Sequence, residues 1–221
     1  MTSLRWALLI SCLLCAHAMA FTPKPGDLLL AEEPCGDFCD AISASTRSID
    51  HAAINHVAIV LNNLKGKPNA VIEATTQGVI ITPLSTFLAN TQQQDHQPRV
   101  WVARLKPAYS NDIPLALQQA KSHLGDPYNN TFSPMESHAF YCSQLVTDSF
   151  NHANPKDKTF HLQPMNFNDL ATGQPIATWV NYFKQLKIPV PNGEPGSSPG
   201  GLSLDPHIDI VYRYFSLPAE D

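Results

Sequence analysis

One cysteine, Cys142, stands where the sequence changes from an extended pattern to a helical one. The two residues before it are aromatic and suit a buried, extended approach, and apolar side chains then recur at helical spacing at Leu145, Val146 and Phe150. A thiol in the first turn of a helix lies beside free N–H groups and the positive end of the helix dipole, which favour the nucleophilic thiolate. The backbone N–H of Cys142 could also hold an oxyanion. A buried structural cysteine would give the same local pattern, so the rest of the chain must decide.

A thiol nucleophile needs a base within hydrogen-bond reach and a third polar group that orients the base. His56 opens an apolar strand-like run, and Glu73 is the only charged residue of the next run, 70–74. If the two runs form an antiparallel hairpin with His56 opposite residue 73 or 75, His56 and Glu73 lie on one face as neighbours. A slip of one residue would separate them. Taken singly, His56 also fits an ordinary strand-end histidine and Glu73 a solvated edge residue.

The first twenty residues are typical of a secretory signal peptide. Arg5 supplies a positive charge, residues 6–16 are almost wholly apolar, and small residues at 18–20 precede Phe21. This stretch is too short for a transmembrane helix, and no later stretch is long and apolar enough to span a bilayer. A large residue stands before Cys15, which argues against a lipoprotein signal. We therefore expect residues 1–20 to be removed and residues 21–221 to form one domain, periplasmic or secreted.

The cysteines fit export to an oxidising compartment. Cys12 and Cys15 lie in the predicted signal peptide, which leaves three cysteines in the mature chain. Cys35 and Cys39 are four residues apart, and on a helical turn this spacing brings Cα atoms to roughly 6 Å, so the pair is a candidate disulfide. Cys142 is then an unpaired thiol that calls for a functional explanation. The alternative is that all three thiols are reduced and inert.

Composition excludes some classes of function. The chain has 221 residues and a formal net charge of −5, so removing residues 1–20, with Arg5 as their one charge, leaves 221 − 20 = 201 residues and −5 − 1 = −6. No basic cluster is present, and nucleic acid is therefore not an expected partner. A hydrophobic content of 43% in a chain of this length suffices for one sizeable core.

The remaining pattern predicts short strands and a few helices. Strand-like runs rich in Val and Ile occur at 27–30, 56–61, 70–74, 78–82, 100–105 and 207–215. Helical patterns occur at 84–88, from a cap at 111–112 to residue 124, from Cys142 onward, and over 175–186. Residues 189–206 contain five prolines and four glycines and are expected to lack regular structure.

Six short blocks, in this order, resemble the YiiX/YebB-like branch of the NlpC/P60 cysteine hydrolases. The blocks are Gly26–Leu30, Asn55–Ile59, Val71–Ala74 with Gly78-Val79, Val102–Leu105, Leu124–Tyr128 and Tyr141–Val146. The resemblance implies an α+β class and a circularly permuted papain-like NlpC/P60 fold, with a small antiparallel sheet or half-barrel packed against helices. In that permuted order the strand that bears the base precedes the nucleophile helix.

The resemblance also implies roles for single residues. Cys142 matches the nucleophile, His56 the base and Glu73 the residue that orients the histidine, while Tyr128 and Asn55 are expected to contact substrate. Gln144 stands where relatives often have Glu, a difference that we do not expect to affect the chemistry. The Cys35 and Cys39 pair is not part of the family pattern.

The implied chemistry is acyl transfer through a thioester, with no cofactor and no metal, on a small peptide or acyl-bearing substrate. For an exported protein, the favoured substrate is an amide bond in a cell-wall-type peptide. A lipid or ester acyl hydrolase or acyltransferase on the same triad is the first alternative, and a non-catalytic module that binds a small ligand is the second. A metal site that combines Cys142 with histidines is a third, but no C-x-x-C or H-E-x-x-H spacing supports it.

Overall fold

The computed structural model describes residues 21–61 and 70–216. The predicted signal peptide and the predicted hairpin loop at 62–69 lie outside this part of the chain. The described strands are β1 Leu28–Ala31, β2 His56–Leu61, β3 Ala70–Thr75, β4 Gly78–Pro83, β5 Val100–Leu105, β6 Gln163–Pro164, β7 Pro195–Gly196 and β8 Ile208–Arg213. The described α-helices are α1 Asp37–Ser45, α2 Leu84–Asn90, α3 Ile113–Ser122, α4 Cys142–Ala153, α5 Ala177–Leu186 and α6 Pro199–Leu202.

Six strands form one antiparallel sheet in the order β4-β3-β2-β1-β5-β8, and β6 pairs separately with β7. The central strands β1 and β2 are buried along their whole length, which explains why their sequences are apolar almost without interruption. This antiparallel sheet with helices on both faces agrees with the predicted α+β class.

The helices cover the two faces of the sheet. Helices α3 and α4 pack against one face, through Ala116, Leu117, Ala120, Leu145, Val146 and Phe150. Helix α2 packs against the other face through Phe87, where it meets Ala58, Val60 and Val71. A separate aromatic cluster joins α1 and α5 to the segment before α4, and its buried rings are Phe132, Tyr141, Phe167, Trp179 and Phe183. No helix in the described ranges is long and apolar enough to cross a membrane.

Cys35 and Cys39 are joined by a disulfide at the start of α1, with their Cα atoms 5.4 Å apart. Among the described residues, Cys142 is the free cysteine, and it is buried. The structure therefore contains the predicted pairing and leaves the predicted nucleophile as a thiol.

Most predicted elements lie within two residues of the observed ones. The sequence analysis did not predict α1 or β6. The prediction that residues 189–206 lack regular structure is wrong in part, because β7 and α6 form there. Pro199 stands at the first helical position, where its missing N–H costs nothing, and Ser198 caps the helix by accepting the N–H of Gly201 at 3.0 Å.

The turn between β3 and β4 contacts the segment that leads into α4. Val79 donates its N–H to the carbonyl of Asp126 at 2.8 Å, and Gly125 donates to the carbonyl of Val79 at 2.9 Å. Gly78 has a φ of +94°, and a Cβ at this position would lie 2.4 Å from the carbonyl oxygen of Asp126. Only glycine fits both the backbone conformation and the contact.

We expect Gly78→Ala to lower the free energy of unfolding by about 2–4 kcal/mol, because a left-handed conformation and a backbone clash act together. Gly125→Ala is the matched control, since Gly125 has a φ of +91° but no atom within 4 Å of the added Cβ. Gly125→Ala should lower the free energy of unfolding by only about 1–2 kcal/mol. Urea unfolding measures both values, and equal losses would contradict the role given to the Gly78 contact.

Candidate active site

The first two candidate residues meet across neighbouring strands. The β2–β3 register pairs Ile59 with Ile72 and Leu61 with Ala70, and its continuation places His56 opposite residue 75, one of the two registers expected from the sequence. His56 Nε2 donates to Oε2 of Glu73 at 2.7 Å. Both side chains are buried, with His56 7% and Glu73 4% exposed.

A hydroxyl and an aromatic ring complete the surroundings of Glu73 and His56. Thr82 in β4 donates its hydroxyl to Oε1 of Glu73, so each carboxylate oxygen has a partner. The ring of Phe87 in α2 lies 6.0 Å from the His56 ring, centroid to centroid. The sequence analysis did not identify Thr82 as a partner of Glu73. The short β3–β4 turn nevertheless fixes a register that pairs Glu73 with Ile80 and brings Thr82 to the same face of the sheet as Glu73.

Cys142 is the first residue of α4, as the change of pattern predicted. Its side chain lies close enough to the His56 ring to raise the pKa of that ring. Because Nε2 of His56 is bonded to Glu73, Nδ1 is the ring nitrogen left for the sulfur. The structure thus brings the three predicted catalytic residues into one chain of contacts, Cys142 to His56 to Glu73.

Gln144 fixes the start of α4. Its side-chain oxygen accepts from the backbone N–H of Tyr141 at 3.4 Å and from the amide of Asn129 at 2.9 Å, and its nitrogen donates to the carbonyl of Glu136 at 3.0 Å. These bonds hold the preceding loop against the helix N-terminus. The N–H groups of Cys142 and Ser143 donate to no acceptor in the described part of the chain, so they are free for an oxyanion.

The His56–Glu73 pair favours charge on both partners. Burial alone would lower the pKa of His56, but the negative charge of Glu33 and hydrogen bonds with Cys142 and Glu73 together raise that pKa well above its ordinary value. Burial opposes ionisation of Glu73 too, yet its bonds to His56 and Thr82 lower its pKa. A histidine that stays protonated beside a thiol stabilises the thiolate.

Glu33 is a further acidic residue of the site that the sequence did not reveal. It lies two residues after β1, whose last residue, Ala31, pairs with His56. The side chain of Asn55 holds the Glu33 backbone in place, because its Oδ1 accepts the Glu33 N–H at 2.9 Å and its Nδ2 donates to the Glu33 carbonyl at 3.1 Å. Asn55 was predicted to contact substrate; it does line the cavity described below, but its amide serves the backbone of Glu33.

The same carboxylates could hold a metal. Glu33, His56 and Glu73 each place one ligand atom within 4.8 Å of the others. Carboxylate oxygen and imidazole nitrogen are ligands that zinc and similar divalent cations accept. His56 and Glu73 are already joined by a hydrogen bond, however, and a cation at Nε2 of His56 would have to displace it.

Tyr128, the other predicted substrate contact, also lies beside the thiol. Its burial, followed by the nearby charge of Cys142, raises its pKa well above the ordinary value, so its hydroxyl stays protonated and can act as a hydrogen-bond donor. Tyr141 lines the cavity described next, and its hydroxyl accepts the N–H of Ser197 at 3.2 Å.

A cavity of about 620 Å³ opens beside Cys142, between α1, α5, α6 and the β6–β7 ribbon. Its buried wall is mainly apolar and aromatic, and includes Phe132, Tyr141, Phe167, Trp179 and Leu202. A cavity of this size holds a small-molecule substrate or one end of a larger one. The thiol and the free N–H groups lie at the edge of this cavity, and the base and its orienting carboxylate lie next to the thiol, so the site can perform acyl transfer.

Comparisons with known proteins identify the family and the fold. The family described as "Permuted papain-like amidase enzyme, YaeF/YiiX, C92 family" matches residues 22–212. Among solved structures, the chain is similar to the metalloprotein yiiX from Escherichia coli O157:H7, with 22% identity and a TM-score of 0.71 over 89% of this chain and 100% of that one. At this identity the likeness shows a shared fold. No curated protein matches the chain. The family match contains all three residues of the contact chain, and the protein therefore belongs to the permuted papain-like amidases of the YaeF/YiiX family.

Proposed function

We propose that this protein is an exported cysteine amidase in which Cys142, His56 and Glu73 form the catalytic triad. The observation that carries the proposal is the buried cluster in which Nε2 of His56 donates to Glu73 at 2.7 Å and the same ring lies beside Cys142. Membership of an amidase family favours turnover over the alternative of a non-catalytic binding module. Export rests on the signal-like residues 1–20.

The first half of the reaction forms a thioester. The Cys142 thiolate attacks the substrate carbonyl carbon, and the resulting oxyanion accepts hydrogen bonds from the N–H groups at the start of α4. The C–N bond then breaks as protonated His56 gives its proton to the leaving nitrogen. The amine departs, the acyl group stays on sulfur, and His56 is neutral.

Water completes the cycle. Neutral His56 takes a proton from a water molecule, whose oxygen attacks the thioester carbon. The C–S bond breaks, the carboxylic acid leaves, and Cys142 and protonated His56 are restored as an ion pair. Throughout, Glu73 holds the ring orientation and stabilises the imidazolium, and Thr82 holds Glu73.

The same thiol could serve two substrate classes. The first is an amide bond in a cell-wall-type peptide, which is the class expected from the sequence of an exported member. The second is an acyl bond in a lipid or a simple ester. Both pass through a thioester on Cys142, so one experiment can test the proposed function for both.

We expect wild-type protein to release new amines from muropeptides or free acids from acyl amides and esters. Cys142→Ala should reduce that rate by at least about 10³-fold, because the nucleophile is lost. Chromatography with mass detection measures the products. Ser149→Ala is the control, since Ser149 lies on the same helix but bonds only to the carbonyl of Leu145. If Cys142→Ala retained the wild-type rate, the proposed nucleophile would be wrong.

Glu73→Gln should lower the pKa of His56, because the neutral amide no longer stabilises the imidazolium. Cys142→Ala should shift it in the same direction, since Cys142 also raises that pKa. An NMR titration of the His56 ring signals measures the midpoint in each protein. An unchanged midpoint in Glu73→Gln would show that the carboxylate does not govern the charge of His56.

Divalent-cation binding is a second candidate function for these groups, because Glu33, His56 and Glu73 cluster within 4.8 Å. The similar structure from Escherichia coli is described as a metalloprotein. In this chain a cation bound to a ring nitrogen of His56 would compete either with Glu73 or with Cys142 for that nitrogen, and it would withdraw the histidine from proton transfer. We therefore propose that such a cation inhibits hydrolysis.

Zn²⁺ should inhibit hydrolysis, and dialysis against EDTA should leave full activity. Glu33→Gln should weaken the inhibition by about tenfold, because one carboxylate ligand is lost. Glu194→Gln, at an exposed glutamate, is the matched control and should not change it. Loss of activity with EDTA and its recovery with Zn²⁺ would contradict this account.

A further inference from the structure

The disulfide between Cys35 and Cys39 lies on the segment that brings Glu33 to the active site. Cys35 is two residues after Glu33, and its N–H donates to the Glu33 carbonyl at 3.0 Å. One oxygen of the Glu33 carboxylate lies within 4.8 Å of a ring nitrogen of His56 and of an oxygen of Glu73. A bond that fixes Cys35 therefore restricts the backbone that carries this carboxylate.

The other end of the disulfide belongs to a helix that is held by further contacts. In α1, Cys39 and Ala41 are buried, and the carbonyl of Ala41 accepts the indole N–H of Trp179 at 3.2 Å. The hydroxyl of Ser43 donates to the carbonyl of Ala53 at 2.9 Å. Helix α1 is thus fixed by the aromatic cluster and by the segment before β2, as well as by the disulfide.

The segment between Glu33 and α1 has few such contacts. Residues 34–37 are exposed, and a Cβ added at Gly36 would meet no atom of the described chain within 4 Å. On the other side of this segment, the two hydrogen bonds of the Asn55 amide hold the Glu33 backbone. The disulfide is the second attachment, and it transmits the fixed position of α1 to Glu33.

The disulfide suits local control better than global stability. Its two cysteines are four positions apart, and the stabilisation gained by restricting the unfolded chain decreases as the closed loop shortens. Cys35 is exposed, and exposed disulfides are the ones that thiols reduce most readily. The bond is therefore placed where a reductant can reach it and where its loss acts first on the Glu33 segment.

We infer that the Cys35–Cys39 disulfide is a redox-sensitive clamp that holds the Glu33 carboxylate beside His56, so that the oxidised protein is the more active form. The inference rests on the proposed function, in which Cys142 and His56 are the reacting groups. Glu33 acts through its negative charge, which stabilises the imidazolium of His56 beside the Cys142 thiolate. An exported protein would then gain full activity once it reaches an oxidising compartment.

Reduction opens the clamp by thiol–disulfide exchange with a dithiol. One thiolate of the dithiol attacks the sulfur of Cys35, the S–S bond breaks, and Cys39 leaves as a thiolate. The second thiolate of the reductant then displaces Cys35 from the mixed disulfide, and the reductant becomes a cyclic disulfide. Two electrons pass to the cysteines, and the two protons that the dithiol releases to water are taken up by the two new thiolates.

The alkylation rate of Cys142 tests the inference without any substrate. Brief iodoacetamide treatment at pH 7, followed by mass spectrometry of the Cys142 peptide, measures it. Cys35→Ala/Cys39→Ala should alkylate about tenfold more slowly than oxidised wild type, because the Glu33 charge is no longer fixed beside His56. Wild type that has been reduced with dithiothreitol and desalted should match this double variant, and reoxidation should restore the rate.

A double-mutant cycle with Glu33→Gln separates positioning from a merely structural role. With the disulfide intact, Glu33→Gln should slow alkylation about tenfold, whereas without the disulfide it should change the rate less than about twofold, because the carboxylate has already moved away. Glu194→Gln, at an exposed glutamate, is the matched control and should leave the rate unchanged in both backgrounds. Circular dichroism and urea unfolding report whether each variant is folded.

The outcomes separate the inference from the proposed function. An unchanged rate without the disulfide, equal effects of Glu33→Gln in both backgrounds, or unfolding of the protein that lacks the disulfide would overturn the clamp. Hydrolysis assays on the same proteins test the amidase separately. If alkylation responds as expected but no substrate is hydrolysed, the clamp on Cys142 reactivity stands and the amidase falls. Hydrolysis that does not depend on the disulfide leaves the amidase and overturns the clamp.

Discussion

The site depends on a buried pair of opposite charges, His56 and Glu73, 2.7 Å apart. Removing one partner from such a pair costs about 3–5 kcal/mol, because the other charge is left buried and alone. Glu73 contributes to the free energy of unfolding above pH 4.5, its ordinary pKa, and this contribution is lost as the pH falls through its lowered pKa. His56 contributes below pH 6.5, its ordinary pKa, and this contribution is lost as the pH rises through its raised pKa. Between pH 4.5 and pH 6.5 both contributions to stability are present in full.

The fold places a thiol beside this pair by joining elements from distant parts of the chain. The β2–β3 register sets His56 against Glu73, and the contact of Gly78 with the Asp126 carbonyl ties the same hairpin to the segment before α4. Gln144 then fixes the start of α4, where Cys142 lies. The three candidate catalytic residues are thus held by strand register and helix capping, and the cavity is built separately by α1, α5, α6 and the β6–β7 ribbon.

Local patterns indicated the three candidate residues, and the resemblance to a known family assigned their roles. Cys142 stands at a change of periodicity, and strand alternation left only two registers that could join His56 to Glu73. Glu33 escaped prediction because it reaches His56 through the β1–β2 pairing, across an intervening segment that holds the disulfide and α1. The cavity escaped for a similar reason: its walls come from segments far apart in sequence, and no local pattern records their contact.

The central claim is that Cys142 carries the acyl group during turnover. The most direct measurement is peptide mapping by mass spectrometry after acid quench of wild-type protein mixed with an acyl amide substrate. The account predicts an acyl adduct on the peptide that contains Cys142, removable by hydroxylamine as a thioester should be, and no adduct in Cys142→Ala. An adduct on another residue, or product formation in the Cys142→Ala protein, would contradict it.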